Sequence, residues 1–433
     1  MSRKLLLIFC SLCIYGFAHA QFLMDMVDTT TETGRGILSV YKKYDHLRFT
    51  GYIQPQYQLA GEKGSESFEG GDFSENVSSR FMLRRSRVRI DYVHYYRDDR
   101  PGVQFVFQFD ANERSFTVRD VWGRLFENKY KLFSFTTGMF ARPFGYEVNL
   151  SSSDRESPER GRMSQIMMRS ERDLGAMATF DARKKVKNFN YLKIDAGVFN
   201  GQGINAAGDF DNHKDFIGRV SLKPYPLSKK MTLSAGGSVL IGGLENNTRY
   251  HYTTVRDGNG WKEQVDSSLT NIGRISKRRY FGADAQWKIA NKKGFTELRA
   301  EFIAGTQTGT ALSPETPNKL PEANEGFHER RFSGAYFYFL QHIFSSKHQL
   351  LVKYDWYDPN SRVSGMEIGR PGSNLGAANI RYQTLGLGYI YYMNENAKLV
   401  LYYAMVHNEK TSLPGFDKDL DDNVFTCRLQ FRF

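Results

Sequence analysis

The sequence predicts an all-β protein, a transmembrane antiparallel β-barrel of about sixteen strands, as the alternating pattern of such barrels requires. Three observations carry that prediction. Apolar and polar residues alternate with a period of two in runs down most of the chain. The connections between runs are short and long in turn. The aromatic share is high, 14% with 25 Tyr and 33 Phe, while the mean hydropathy is −0.51. A water-filled barrel gives that combination, because every second strand residue faces water and dilutes the apolar signal.

The first twenty residues stand apart. Arg3 and Lys4 precede an apolar stretch from Leu5 to Phe17, and Ala18-His19-Ala20 offers small residues before Gln21. This is the pattern of a cleaved signal peptide over 1–20. After it, no stretch holds the roughly 18 uninterrupted apolar residues of a membrane-spanning helix. Its removal takes two of the three cysteines and leaves Cys427 with no intrachain partner. The net charge of +12, less Arg3 and Lys4, becomes +10. That charge is spread along the chain without a polybasic arm, which suits small anions or anionic lipid better than nucleic acid. Residues 21–48 are polar and unperiodic and read as an N-terminal periplasmic segment, with the barrel over 49–433.

Marking each alternating run gives strands at 49–59, 81–94, 103–110, 117–126, 132–140, 175–182, 190–199, 216–223, 231–241, 279–290, 295–304, 331–342, 348–357, 381–391, 398–406 and 424–433. The last is the clearest: Phe425, Cys427, Leu429, Phe431 and Phe433 alternate with Thr426, Arg428, Gln430 and Arg432. A final aromatic is awkward at the end of a strand in water but suits a lipid-facing belt. Connections after even-numbered strands are short, such as 95–102 and 291–294, whereas 60–80, 141–174, 242–278 and 305–330 after odd-numbered strands are long. A soluble sandwich has no reason for that parity; a barrel with turns on one rim and loops on the other does. Unpaired backbone groups in lipid cost several kcal/mol each, so the sheet must close. Sixteen strands enclose a channel where about eight would be filled by side chains.

The second strand carries the densest charge. Arg85, Arg87, Arg89 and Asp91 share one face, which must be the lumen, since an arginine facing lipid at the midplane costs about 2–4 kcal/mol. Arg84 has the opposite parity and belongs at a rim or a bulge. These arginines either neutralise inward carboxylates such as Asp110 and Asp120 or form an anion path, and the two roles are compatible. The 141–174 segment sets Arg142, Arg155, Arg160, Arg162, Arg169 and Arg172 against six acids, Glu147, Asp154, Glu156, Glu159, Glu171 and Asp173. Its apolar patch Ile166-Met167-Met168 predicts that part of it packs onto a wall as a folded, functional loop. Over the strands, inward parity gives twelve basic residues, among them Arg124, Arg219, Arg299, Lys353 and Arg428, against eight acids, which predicts a modest anion preference.

The sequence resembles the phosphate-selective porins O and P. The similar stretches are Phe81-Met82-Leu83-Arg84-Arg85-Ser86-Arg87, Val118-Arg119-Asp120-Val121 and Gly138-Met139-Phe140-Ala141-Arg142-Pro143-Phe144-Gly145, with the C-terminal strand. The resemblance implies a homotrimer of sixteen-stranded outer-membrane barrels, the long third loop folded into the pore, and passive diffusion of small hydrophilic solutes with a preference for anions, phosphate among them. On it, Arg84 and Arg85 look like paired pore arginines, Asp120 like a pore carboxylate, and Arg142 like the basic residue where the loop begins. Arg87, Arg89, Arg155, Arg160 and Arg162 complete the expected anion path. The family is expected to present lysine in the constriction, and 141–174 contains none.

No H-E-x-x-H, G-x-S-x-G or P-loop motif occurs, so neither an enzyme nor a cofactor is expected. The competing reading is a plugged barrel that anchors or docks partner proteins through the 242–278 and 305–330 loops. Conductance separates the two.

Overall fold

The computed structural model describes residues 46–96, 100–183, 189–206, 208–258 and 260–433. The expected signal peptide and residues 21–45 of the expected periplasmic segment lie outside them. The barrel also begins earlier than residue 49, because Leu47 and Arg48 already pair with Tyr92 and Asp91.

Among the described residues eighteen strands form one sheet. They are β1 (Leu47–Ala60), β2 (Ser79–Tyr95), β3 (Pro101–Ala111), β4 (Phe116–Phe126), β5 (Phe133–Ala141), β6 (Arg172–Asp181), β7 (Leu192–Phe199), β8 (Asp215–Pro226), β9 (Met231–Glu245), β10 (Tyr250–Asp257), β11 (Gly260–Asp266), β12 (Ile275–Asn291), β13 (Gly294–Gly309), β14 (Gly326–Ile343), β15 (His348–Asp358), β16 (Tyr382–Tyr392), β17 (Ala397–Asn408) and β18 (Val424–Arg432). β9 pairs directly with β12, so β10 and β11 stand outside the ring and sixteen strands remain in it. β1 and β18 close the ring in antiparallel register, Tyr52 opposite Arg432 and Tyr57 opposite Cys427. All sixteen runs read from the sequence are barrel strands.

The strands differ from the sequence reading at the long-loop rim. β9, β12, β13 and β14 continue past the predicted ends, and β10–β11 is a hairpin within the 242–278 loop. Ladder hydrogen bonding persists there although neither face has to be apolar, so the period-two signal vanishes before the strand does. β10 pairs in parallel with Gly326–Glu329 of β14, along the edge that β15 leaves free by starting its own pairing at Ser333.

The outer face carries an apolar belt. Val88, Phe105, Phe107, Phe135, Val198, Phe281, Phe302, Phe337, Leu387 and Phe431 are all exposed on it. A soluble monomer rarely shows contiguous apolar patches above a few hundred Å², and hydrocarbon is the solvent that suits this one. A closed ring with such a belt belongs to the bacterial outer membrane.

The inner face is not uniformly polar. On β12–β17 it presents Tyr280, Phe332, Tyr336, Tyr338, Tyr357 and Tyr402, all buried. The 142–171 loop covers them, and its short helix α1 (Arg162–Met167) buries Met163, Ile166 and Met167 against them. Met163 sits so close to Gly334 that a β-carbon there would meet its sulfur at 2.8 Å. The predicted wall packing of Ile166-Met167-Met168 is therefore present, as an apolar core inside the barrel.

Candidate functional site

The 142–171 loop is fastened at both ends of its path. Near its start the Glu301 carboxylate accepts the backbone N–H groups of Tyr146 and Glu147 at 3.0 and 3.1 Å. Glu147 in turn accepts from the Gly161 N–H, the Ser164 hydroxyl at 2.6 Å and the Tyr338 hydroxyl at 2.7 Å. Farther along, Glu156 takes a bidentate contact from Arg299 at 2.7 and 2.9 Å. Glu301, Arg299 and Tyr338 are inward residues of β13 and β14, so the loop crosses the lumen. A second loop, 61–78, also turns inward: Gln165 donates to the Phe68 carbonyl at 2.8 Å, and Phe68 packs on the lumenal core.

The arginine ladder of β2 faces this loop. A register shift between β1 and β2 lies at Gln54/Pro55, with Gln54 opposite Arg85 and Pro55 opposite Leu83. Arg84 is the extra residue of that bulge, which turns both it and Arg85 inward. Together they grip Glu159: Arg84 Nε at 2.9 Å, Arg85 Nη2 at 2.6 Å, and Arg428 of β18 at 2.8 Å from the far side. Arg87 pairs with Asp110 at 2.9 Å and donates to the Ser152 hydroxyl at 3.1 Å. Arg89 is bidentate with Asp91 at 2.7 and 2.8 Å. A second shift between β3 and β4 skips Arg119, which binds Asp110 and Glu171, while Asp120 binds Arg172 at 3.2 Å.

Burial would raise the Glu159 carboxyl, but the guanidinium groups of Arg84, Arg85 and Arg428 outweigh it and hold it well below the usual range. Glu171 is held down in the same way by Arg160, Arg119 and Arg172. Burial, with Arg160 beside it, pushes Arg155 down to about 10, so it stays cationic at neutral pH.

Two cavities remain beside the loop. One of about 950 Å³ opens toward the short turns, where Arg48, Glu395 and Phe433 line it. The other, about 230 Å³, lies toward the long loops beside Phe68, Arg169 and Glu315. Arg87, Ser152 and Arg160 line both and stand between them. The larger is lined by nine basic residues against four acids, and the smaller by seven against four. Beside the smaller one Arg155 Nη1 is buried without a hydrogen-bond partner among the described residues.

Of the residues singled out from the sequence, Arg84, Arg85, Arg87, Arg89, Asp120, Arg155 and Arg160 border these cavities. Arg142 and Arg162 do not. Arg142 is buried in the wall against Asp173 and the Ser170 carbonyl. Arg162 is sandwiched between the rings of Phe68 and Tyr382, 4.5 and 3.7 Å from their centres, on the filled side of the lumen. Arg119, Glu159 and the 61–78 loop are not part of the anion path expected from the sequence. The adjacent charged pairs Arg84-Arg85 and Arg119-Asp120 did hold a signal, because two consecutive inward charges within an alternating strand require a bulge.

No protein-family model and no curated protein matches the sequence. Among solved structures the chain is similar to OprB of Pseudomonas putida, with a TM-score of 0.58 and 10% identity over 94% of this chain and 98% of that one. It is similar also to the outer membrane channel DcaP of Acinetobacter baumannii, with a TM-score of 0.53 and 12% identity over 89% and 97%. The fold is a porin barrel. At that identity the likeness extends to the architecture, and the arginine lining of the two cavities is a feature of this chain's own residues.

Proposed function

We propose that this barrel is a diffusion channel for small hydrophilic solutes with a preference for anions, phosphate among them, and that it works as a homotrimer in the outer membrane. The observation that carries the reading is the excess of arginine around the two cavities, including the unpartnered, buried Arg155 Nη1. Arg84, Arg85, Arg87, Arg89, Arg155 and Arg160 each have a carboxylate or carbonyl to hold their geometry, and basic residues outnumber acids around both cavities. Rings of fixed charge discriminate among ions by raising the local concentration of the opposite sign. Arg84, Arg85, Arg87, Arg89, Arg155 and Arg160 would line the path, Asp120 would fix Arg172 beside it, and Arg142 and Arg162 would hold the loop.

The test is planar-bilayer recording of the purified protein under a salt gradient. An anion-directed reversal potential is expected, weakened by Arg85→Ala/Arg87→Ala/Arg89→Ala. A cation-directed potential would remove the anion preference. Absence of channel events would favour a plugged docking barrel.

A further inference from the structure

The outer wall of β12–β14 carries a feature that diffusion through the lumen does not use. Outward residues alternate there as Lys277, Arg279, Phe281, Ala283 and Ala285 on β12 and as Thr306, Ala304, Phe302 and Ala300 on β13. In the register Phe281 faces Ala304 and Ala283 faces Phe302, so each ring stands beside a methyl group. The result is an apolar groove of about 450 Å³ walled by Phe281 and Phe302 and floored by Ala283, Ala304, Gly282 and Gly305. One residue pair nearer the long loops, Arg279, Thr306 and Arg331 of β14 lie side by side across three strands. Arg279 and Arg331, with Lys277 above, are exposed and make no ion pair among the described residues. The nearby acids are Glu329, whose carboxylate already accepts the Lys277 N–H at 3.1 Å, and Asp358, in register with Ser333 on the far side of Arg331.

Other outward residues on this rim include the apolar Leu59, Phe81, Phe116, Leu174 and Phe216. Two arginines about 10 Å apart, from the strand spacing, over a groove for hydrocarbon, fit an amphiphile with an acyl chain and more than one phosphate. The rim is the one with long loops, which faces the cell exterior in such barrels.

We infer that this face binds a phosphorylated glycolipid of the outer leaflet, with an acyl chain between Phe281 and Phe302 and phosphates on Arg279 and Arg331. Planar guanidinium groups bind phosphate bidentately, and desolvation at the hydrocarbon boundary strengthens the contact. The inference rests on the outer-membrane placement of the barrel but not on ion flow through it.

Native mass spectrometry of the detergent-solubilised barrel, titrated with purified lipid A, reads the binding directly. The wild type should bind lipid A more tightly than dephosphorylated lipid A or phosphatidylglycerol, and Arg279→Gln/Arg331→Gln should weaken binding by about tenfold or more. Ala283→Phe/Ala304→Phe, which fills the groove, should weaken it as well. Equal retention of the dephosphorylated lipid by the wild type would overturn the inference without any variant. So would unchanged affinity in the arginine pair, equal affinity for phosphatidylglycerol, or displacement by inorganic phosphate. Single-channel conductance measured on the same variants should equal that of the wild type. Loss of conductance in every sample, with lipid retained, would count against the channel alone.

Discussion

Replacing Glu159 by glutamine preserves its volume and removes the charge that three arginines share. Arg84, Arg85 and Arg428 approach its carboxylate at 2.9, 2.6 and 2.8 Å, and Arg155 lies 3.9 Å away. Breaking a buried ionic cluster from one side costs about 3–5 kcal/mol. The low end applies here, because Glu159 borders a cavity and the Arg84 side chain is 25% exposed. That loss falls on the attachment of the loop to β2 and β18, whose ladders do not involve Glu159 at all. The variant barrel should therefore fold, with a looser loop. Selectivity moves in a defined direction: the smaller cavity goes from seven basic residues against four acids to seven against three. A unit charge about 5 Å from a passing ion at a dielectric of about 80 is worth roughly 0.8 kcal/mol, or about fourfold in local anion concentration. The reversal potential in a KCl gradient should shift toward that of chloride, and more so at low ionic strength, where screening is weaker. A folded E159Q barrel whose reversal potential stays put, or moves toward potassium, would refute the placement of Glu159 beside the ion path.

Arg155→Gln removes a buried guanidinium that donates to the Ser157 and Pro158 carbonyls and should reduce anion preference at a cost of about 1–3 kcal/mol to the loop's attachment; reversal potential and gel heat-modifiability check the two halves. Arg162→Gln loses its contacts with Phe68 and Tyr382, so the loop should become more protease-sensitive while selectivity stays unchanged. The pH response follows from the depressed carboxyls of Glu159 and Glu171. Their anchoring is complete above the ordinary carboxylate pKa and is lost only as pH falls through their lowered values. The contribution of Glu159 and Glu171 should thus be steady from neutrality to about pH 4.5, the usual glutamate range, whereas burial raises the Glu315 carboxyl at the smaller cavity, so the first anion-directed turn should come above that pH. Deletion of Phe433 removes the paired backbone hydrogen bonds with Gly51, of 3.0 and 3.1 Å, at the ring closure. Each is worth about 1 kcal/mol, and the temperature of the folded-to-unfolded gel shift should fall.

The barrel was legible because a strand at a lipid boundary must alternate: Phe281, Ala283 and Trp287 point outward for the same reason that Asp284 and Gln286 point inward. The path of the loop was not legible. Glu159 meets Arg428 across 269 residues of sequence, and nothing local to either encodes that meeting. Charge type also failed to separate Arg155, which borders a cavity, from Arg162, which is stacked between rings, since residues close in one loop can face opposite walls. β10–β11 escaped notice because a hairpin outside the membrane needs no apolar face.

The core formed by Tyr336, Tyr338, Tyr402 and Met163 fills one side of the lumen and leaves the passage against the β2–β8 wall. On the proposed function, folding and selection of solutes fall to different arcs of a single ring. Substitutions along Arg87, Arg89, Arg124 and Arg219 can alter what the channel admits while the tyrosine side continues to hold the loop. A descendant of this chain could thus acquire new cargo through a few exchanges on one arc, with no need to rebuild its interior.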